Sequence, residues 1–271
     1  MADRIPGECL VMGILNCTPD SFFSGSRKQT EDEIRERTLE IVREGGDMID
    51  VGACSTRPGC VFATEEEEME RLRFALPIIK EAAPDIPLSV DTFRASVARM
   101  CVKEFGDMII NDVSEGEDPE MFNTVAEFSV PYILMSTKPT MHDMALSLAE
   151  KVQQLRDLGA KDIILDPGFG FGKTLQQNFE VLKDISFLRE FNLPILVGAS
   201  RKSMIWKTLN ITPEESLNGT TVINTIALMK GAADILRVHD VKVAKEAVSL
   251  VRNLNLNDNL NVNDTPNSFG Q

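Results

Sequence analysis

The 271-residue chain carries 28 Lys+Arg against 42 Asp+Glu, a formal charge of −14, with 43% hydrophobic and 26% charged residues. That composition sustains a full globular core and argues against a nucleic-acid or anionic-membrane surface, which needs a basic patch. No uncharged apolar run approaches the roughly 18 residues that cross a bilayer, and Met1–Glu8 lacks an apolar signal core, so a cytoplasmic protein is expected.

Short β-branched runs alternate with helix-period segments along the chain. The predicted strands are Leu10–Asn16, Asp47–Gly52, Leu88–Asp91, Met108–Asn111, Tyr132–Met135, Ile163–Asp166, Ile195–Gly198 and Ile235–Arg237. Between them, Thr30 with Glu33 and Thr64 with Glu67 read as capping boxes, in which a hydroxyl and a carboxylate satisfy free amides at a helix start. Asp118-Pro119 and Thr212-Pro213 place Pro at a first helical position. Ile34, Thr38, Ile41 and Val42 share one helical face, as do Met69, Leu72, Leu76 and Ile79.

Strand–helix alternation demands a parallel sheet, because each crossover needs a helix. Eight repeats with no break in composition favour a single-domain α/β fold, a (β/α)8 TIM barrel over residues 1–254. Residues 255–271, rich in Asn and Asp, read as a frayed, disordered tail. Seven strand exits carry polar residues: Asn16, Asp50 with Gly52, Asp91, Asn111-Asp112, Asp166, Ser200-Arg201-Lys202, and Arg237 with His239. One such residue is ordinarily a helix cap. Seven on the rim where barrel enzymes keep their sites point to a binding mouth.

Five cysteines, an odd number, read as reduced thiols rather than a disulfide framework. With only His142 and His239 and no Cys-x-x-Cys spacing, no dedicated zinc site is expected. Gly168 to Thr174 first suggests a phosphate loop, yet the Walker spacing requires Gly where Pro167 stands.

The motifs together resemble the dihydropteroate synthase family, from about Val11 to Val241. They are Met12–Phe22, Asp50-Val51-Gly52 leading to Ser55–Gly59, Ser89–Thr92, Ile110-Asn111-Asp112, Asp166–Lys173, Ser200–Ser203 and Arg237–Asp240, in the family's order. The resemblance implies a transferase of folate biosynthesis, a target of sulfonamides. It joins 6-hydroxymethyl-7,8-dihydropterin diphosphate to p-aminobenzoate and releases pyrophosphate. By the same match Asp91, Asn111 and Asp166 read the pterin, with Met135 and Phe171 packing its ring and Lys202 and Arg237 at its polar edge. Asn16, Arg237 and His239 hold the diphosphate with Mg2+, for which Asn16 is the protein ligand. Phe22, Thr56, Arg57, Pro58 and Ser203 form the p-aminobenzoate site. Lys202, Arg237, His239 and Asp91 are the implied catalytic set, acting by position and charge and not through a covalent nucleophile. Homodimers are typical of the family.

Met135-Ser136-Thr137-Lys138 departs from the Met-His common in the family, and Cys54 stands where Glu is frequent. Two other readings compete: a methyltetrahydrofolate-dependent methyltransferase, which has no need of the cationic exits at Lys202 and Arg237, and a catalytically silent pterin-binding protein.

Overall fold

The computed structural model describes residues 8–17, 27–54 and 62–261. Eight parallel strands, β1 (Leu10–Asn16), β2 (Met48–Gly52), β3 (Leu88–Asp91), β4 (Ile109–Asp112), β5 (Tyr132–Met135), β6 (Ile163–Asp166), β7 (Leu196–Val197) and β8 (Ile235–Val238), form one sheet in the order β6-β5-β4-β3-β2-β1-β8-β7. A single bridge between Leu165 and Ile195 joins the two ends and closes the ring. The α/β barrel expected from the alternation is therefore present. Among the described residues its helices are α1 (Arg27–Arg43), α2 (Glu65–Ala82), α3 (Ala95–Phe105), α4 (Met121–Phe128), α5 (Met141–Asp157), α6 (Leu175–Asp184), α7 (Ser203–Leu209), α8 (Leu217–Met229) and α9 (Val241–Asn261). None is long and apolar enough to cross a membrane.

Because side chains alternate along a strand, each strand sends one set outward beneath the helices and one into the barrel. The outward set (Val11, Val51, Val90, Ile110, Leu134, Leu165, Val197 and Leu236) joins the helices in the main core. The inward set begins with an apolar plug of Met12, Met48, Ile109, Ile133, Ile164, Leu196 and Ile235. Two residues further along β2, β4, β6 and β8 the inward layer turns polar, with Asp50, Asn111, Asp166 and Arg237 replacing the hydrocarbon, while β5 contributes Met135. The plug thus forms the floor of a polar mouth.

Two expectations about α1 are corrected. The helix begins at Arg27, so Thr30 lies in its first turn and is not its cap; Thr30, Ile34, Thr38 and Ile41 are all buried, and this face carries the helix back past the supposed box. Val42, placed on that face, is exposed. The Thr64–Glu67 box is present, with Glu67 N donating to Thr64 Oγ1 at 3.2 Å and Thr64 N to Glu67 Oε2 at 2.9 Å. Thr212 and Glu215 make the same reciprocal pair at a short 3-10 turn, Glu214–Ser216, that leads into α8. After Asp118-Pro119 the helix α4 starts only at Met121. At the other end α9 runs to Asn261, so the boundary placed at 254 falls within a helix.

Candidate active site

Arg237, inward-facing on β8, lies between two carboxylates from β2 and β3, two and three strands further round the ring. Its Nε donates to Asp50 Oδ2 at 2.6 Å and its Nη2 to Asp91 Oδ2 at 2.8 Å. Asn111 Nδ2 donates to the same Asp50 oxygen at 3.2 Å. Burial opposes the Arg237 charge, but Asp50 and Asp91 outweigh it and push its pKa up. Burial raises the Asp91 carboxyl well above the ordinary carboxylate range, against the pull of Arg237. Asp50 Oδ1, Asn111 Oδ1 and Ser89 Oγ are buried with no hydrogen-bond partner. Buried acceptors of this kind cost about 1–3 kcal/mol each, so their clustering at the mouth is what a site awaiting donors from a ligand looks like.

Across the mouth, Asp166 Oδ1 accepts from Gly168 N at 2.7 Å, and burial raises its pKa. Lys202 Nζ stands 4.2 Å from the centroid of the Phe171 ring, a cation–π distance. Burial, with Arg237 nearby, lowers the Lys202 pKa to about 8. Met135 is fully buried and pairs in register with Asp166. The residues chosen from sequence as pterin readers therefore converge.

At the rim, His239 Nδ1 lies 2.9 Å from Ser200 Oγ, which also accepts from His239 N at 3.2 Å. When the Ser200 hydroxyl gives its proton to Nδ1, the imidazole carries its own proton on Nε2, turned to the mouth as a donor. Burial, with Arg237 and Arg201 adding repulsion, lowers the His239 pKa to about 4. His239 is thus neutral near pH 7 and meets an anion as a donor, not as a charge. Asn16 ends β1 opposite Gly52. A Cβ on Gly52 would sit 3.3 Å from Asn16 Oδ1 and 3.8 Å from Asp91 Cβ, so glycine keeps the gap between them open. Ser203 opens α7 directly after Lys202. Phe22, Thr56, Arg57, Pro58 and Cys60 lie outside the described residues.

Three groups carry more of the site than the sequence assigned them: Asp50 and Arg201 stood there only as polar strand exits, and Arg37 was not singled out. Asp50 is the centre of the ion-pair cluster, and strict alternation from Met48 would have turned it inward. Arg37 on α1 donates to Ile14 O at 3.4 Å and His239 O at 2.6 Å, tying together the exits of β1 and β8. Arg201 grips Asp240 with two bonds, at 3.1 and 2.6 Å, and fixes the β7 exit to the β8 exit. Beside the cluster a recess of about 560 Å3 opens over the β4 and β5 exits, between Phe62, Phe93, Val113, Thr137, Lys138 and Phe171.

Residues 12–239 match the family model described as pterin binding enzyme. A dihydropteroate synthase from Clostridium beijerinckii is 43% identical over 242 residues, covering 85% of this chain and 88% of that one. The chain belongs to the dihydropteroate synthases. Solved structures agree with this membership. The dihydropteroate synthase of Clostridium difficile, in the presence of pteroic acid, superposes with a TM-score of 0.86 at 32% identity, over 92% of this chain and 97% of that one. The Anaplasma phagocytophilum dihydropteroate synthase with bound 6-hydroxymethylpterin-monophosphate gives 0.83 at 33% identity, over 91% and 99%. As a family member the protein is a transferase.

Four of the five cysteines of this synthase fall among the described residues. Cys9, Cys17, Cys54 and Cys101 are free and buried. Burial pushes Cys17 up to about 12 and raises Cys54 as well, so neither thiol is activated.

Proposed function

We propose that the enzyme condenses 6-hydroxymethyl-7,8-dihydropterin diphosphate with p-aminobenzoate, giving 7,8-dihydropteroate and pyrophosphate. The observation that carries this reading is the inward polar layer, in which Arg237 spans Asp50 and Asp91 while the Asp50 and Asn111 acceptors wait unpartnered. A pterin presents amino and ring N–H donors along one edge, and these supply what the layer lacks. Asp91, Asn111 and Asp166 take those donors, Lys202 gives to the ring acceptors, and Met135 and Phe171 cover the faces. A site built from such partners rejects rings that leave them unpaired.

The diphosphate extends toward Arg237, His239 and Asn16. Arg237 commits Nε and Nη2 to carboxylates and keeps Nη1 free among the described residues. Bonds from Arg237 and from His239 Nε2–H strengthen as negative charge gathers on the departing pyrophosphate, which lowers the barrier. The carbon–oxygen bond to the diphosphate breaks, the arylamine nitrogen forms the new bond to the methylene carbon, and its proton leaves to solvent. Ser203, beside Lys202, belongs to the p-aminobenzoate subsite in this reading, with Phe22, Thr56, Arg57 and Pro58.

Mg2+ fits the donor set. No group of three His, Cys, Asp or Glu among the described residues forms a cage for a metal. Mg2+ characteristically takes one or two protein oxygens and fills its shell with water and phosphate oxygens. Asn16 Oδ1 is such a single oxygen, with no hydrogen-bond partner among the described residues. Mg2+ held there would neutralise phosphate charge, which suits a protein of net charge −14.

A second copy of the chain is the partner we assign. Val222, Ile226 and Met229 follow one another along α8 and are exposed, as is Phe187, whose neighbour Ser186 bonds Lys230 O at 3.0 Å at the helix end. This contiguous apolar face is what overcomes repulsion between two acidic copies. Ile226→Glu then gives a monomer in light scattering. We place the enzyme in the cytoplasm, where its free, buried thiols stay reduced.

The deciding experiment is pyrophosphate release from the purified enzyme with both substrates and Mg2+, beside Arg237→Ala. Release that needs both substrates and is lost in the variant supports the reading. Pterin binding in calorimetry without release would leave a silent pterin-binding protein in its place.

A further inference from the structure

The Gly172-Lys173-Thr174 stretch that resembles a phosphate loop has no part in the proposed chemistry. Thr174 caps α6, accepting from Gln177 N at 3.2 Å while Gln177 Oε1 accepts from Thr174 N at 2.8 Å. Lys173 turns inward and is buried. Its Nζ donates to Ser136 O at 3.1 Å and to Gly168 O at 2.9 Å.

Those two carbonyls belong to different strand exits, β5 and β6, pressed unusually close. Gly168 has φ +67, and a Cβ there would collide with Ser136 O and come within 3.0 Å of Met135 Cγ. Converging carbonyl dipoles repel each other, and an ammonium between them turns that repulsion into two charge-assisted bonds. The same segments carry the pterin readers. Met135 immediately precedes Ser136, Gly168 N holds Asp166 Oδ1, and Gly168 O also accepts from Phe171 N at 3.3 Å.

We infer that Lys173 is a positioning residue for the pterin subsite: it holds the β5 and β6 exits together so that Met135, Asp166 and Phe171 meet a single ring. The inference rests on the pterin reading above and adds a residue that touches no ligand. A second observation supports it from the other side of Ser136. Glu115, buried and left-handed at φ +64, accepts from Thr137 N at 3.0 Å, Ser136 Oγ at 3.4 Å, Ser147 Oγ at 2.6 Å and also Thr137 Oγ1. Ser136 N already donates to Asp166 O at 2.8 Å across the two exits; beyond that bond, Thr137 N and the segment's hydroxyls go to a carboxylate and the Ser136 carbonyl to an ammonium, so it is clamped from both faces. Burial lowers the Lys173 pKa to about 8 against the pull of Asp166 and Glu115, and the clamp is therefore charged near pH 7.

The test is Lys173→Met, which keeps the apolar stem and removes donors and charge. Binding of 6-hydroxymethyl-7,8-dihydropterin diphosphate is measured by calorimetry, and turnover by pyrophosphate release. The expected result is a pterin Kd and a pterin KM raised about 10-fold or more, as for other outer-layer partners of a site. The kcat at saturation and the KM for p-aminobenzoate stay within about 2-fold, and Lys173→Arg recovers part of the loss. A folded Lys173→Met that binds pterin like wild type overturns the inference, as does a loss confined to kcat. Should Lys173→Met not fold, Glu115→Gln loosens the same segment from its other face. A raised pterin Kd at unchanged kcat supports the clamp, and an unchanged Kd overturns it. A wild-type enzyme that fails to bind the pterin removes the pterin reading itself and the inference with it.

Discussion

Asn111 and Asp112 are neighbours on β4 that face opposite ways, and their hydrogen bonding differs sharply. Asn111 points into the mouth, donates once to Asp50 and leaves its own carbonyl oxygen buried without a partner. Asp112 points outward and accepts from Ser114 N, Ser114 Oγ, Gly116 N and Tyr132 Oη at 2.6–3.0 Å. Glu115, three residues on, is equally saturated. The outward layer is a finished scaffold, whereas the inward layer is completed only by what binds there. On β4 the two buried polar neighbours thus separate by function according to whether their partners are already present.

The comparison breaks most visibly at Arg237. Arg237→Ala leaves Asp50 and Asp91 as buried carboxylates without their cation, so stability in urea falls by about 3–5 kcal/mol at neutral pH. Pyrophosphate release drops by about 10^3-fold, the scale of losing one preorganised charge partner. Raising the pH tests the inward layer more gently. Lys202 has its folded pKa depressed to about 8, so its cation is present below that pH and is lost above it. Affinity for the pterin diphosphate, followed by calorimetry, is expected to decline as pH rises past about 8. Lys202→Arg, which stays charged, makes the decline shallower, and the remainder belongs to Lys173, which titrates in the same range. Tyr132→Phe probes the scaffold. It removes one of four donors to Asp112, costs about 1 kcal/mol in urea unfolding and leaves kcat unchanged. A large kinetic defect in Tyr132→Phe would erase the distinction between the two layers.

What the sequence made legible follows the same division. Strand alternation located all eight strands within a residue or two, because hydrocarbon on both faces leaves long apolar runs. β7 is the instructive exception. Ile195–Gly198 reads as a strand, but Ile195 N is taken by Asp234 Oδ2 at 2.7 Å, and the ladder shrinks to Leu196–Val197. That bond comes from a side chain 39 positions away, and no local pattern records it. The pterin-facing residues were visible because they sit in strand-exit motifs. The roles of Arg37 and Lys173 were not, since each acts on backbone carbonyls, which look alike in any sequence. Thr30 misled for the opposite reason: a sound local capping pattern lost to a buried face that extends one turn further.

The ring is closed by one bridge, Leu165 to Ile195, with Leu165 N donating to Pro194 O at 2.8 Å. Asp166 stands on one side of that seam and Lys202 on the other. A pterin that bonds to both is therefore a rivet across the weakest join in the barrel, and binding it should slow amide hydrogen exchange at Leu165 more than at the fully laddered strands opposite.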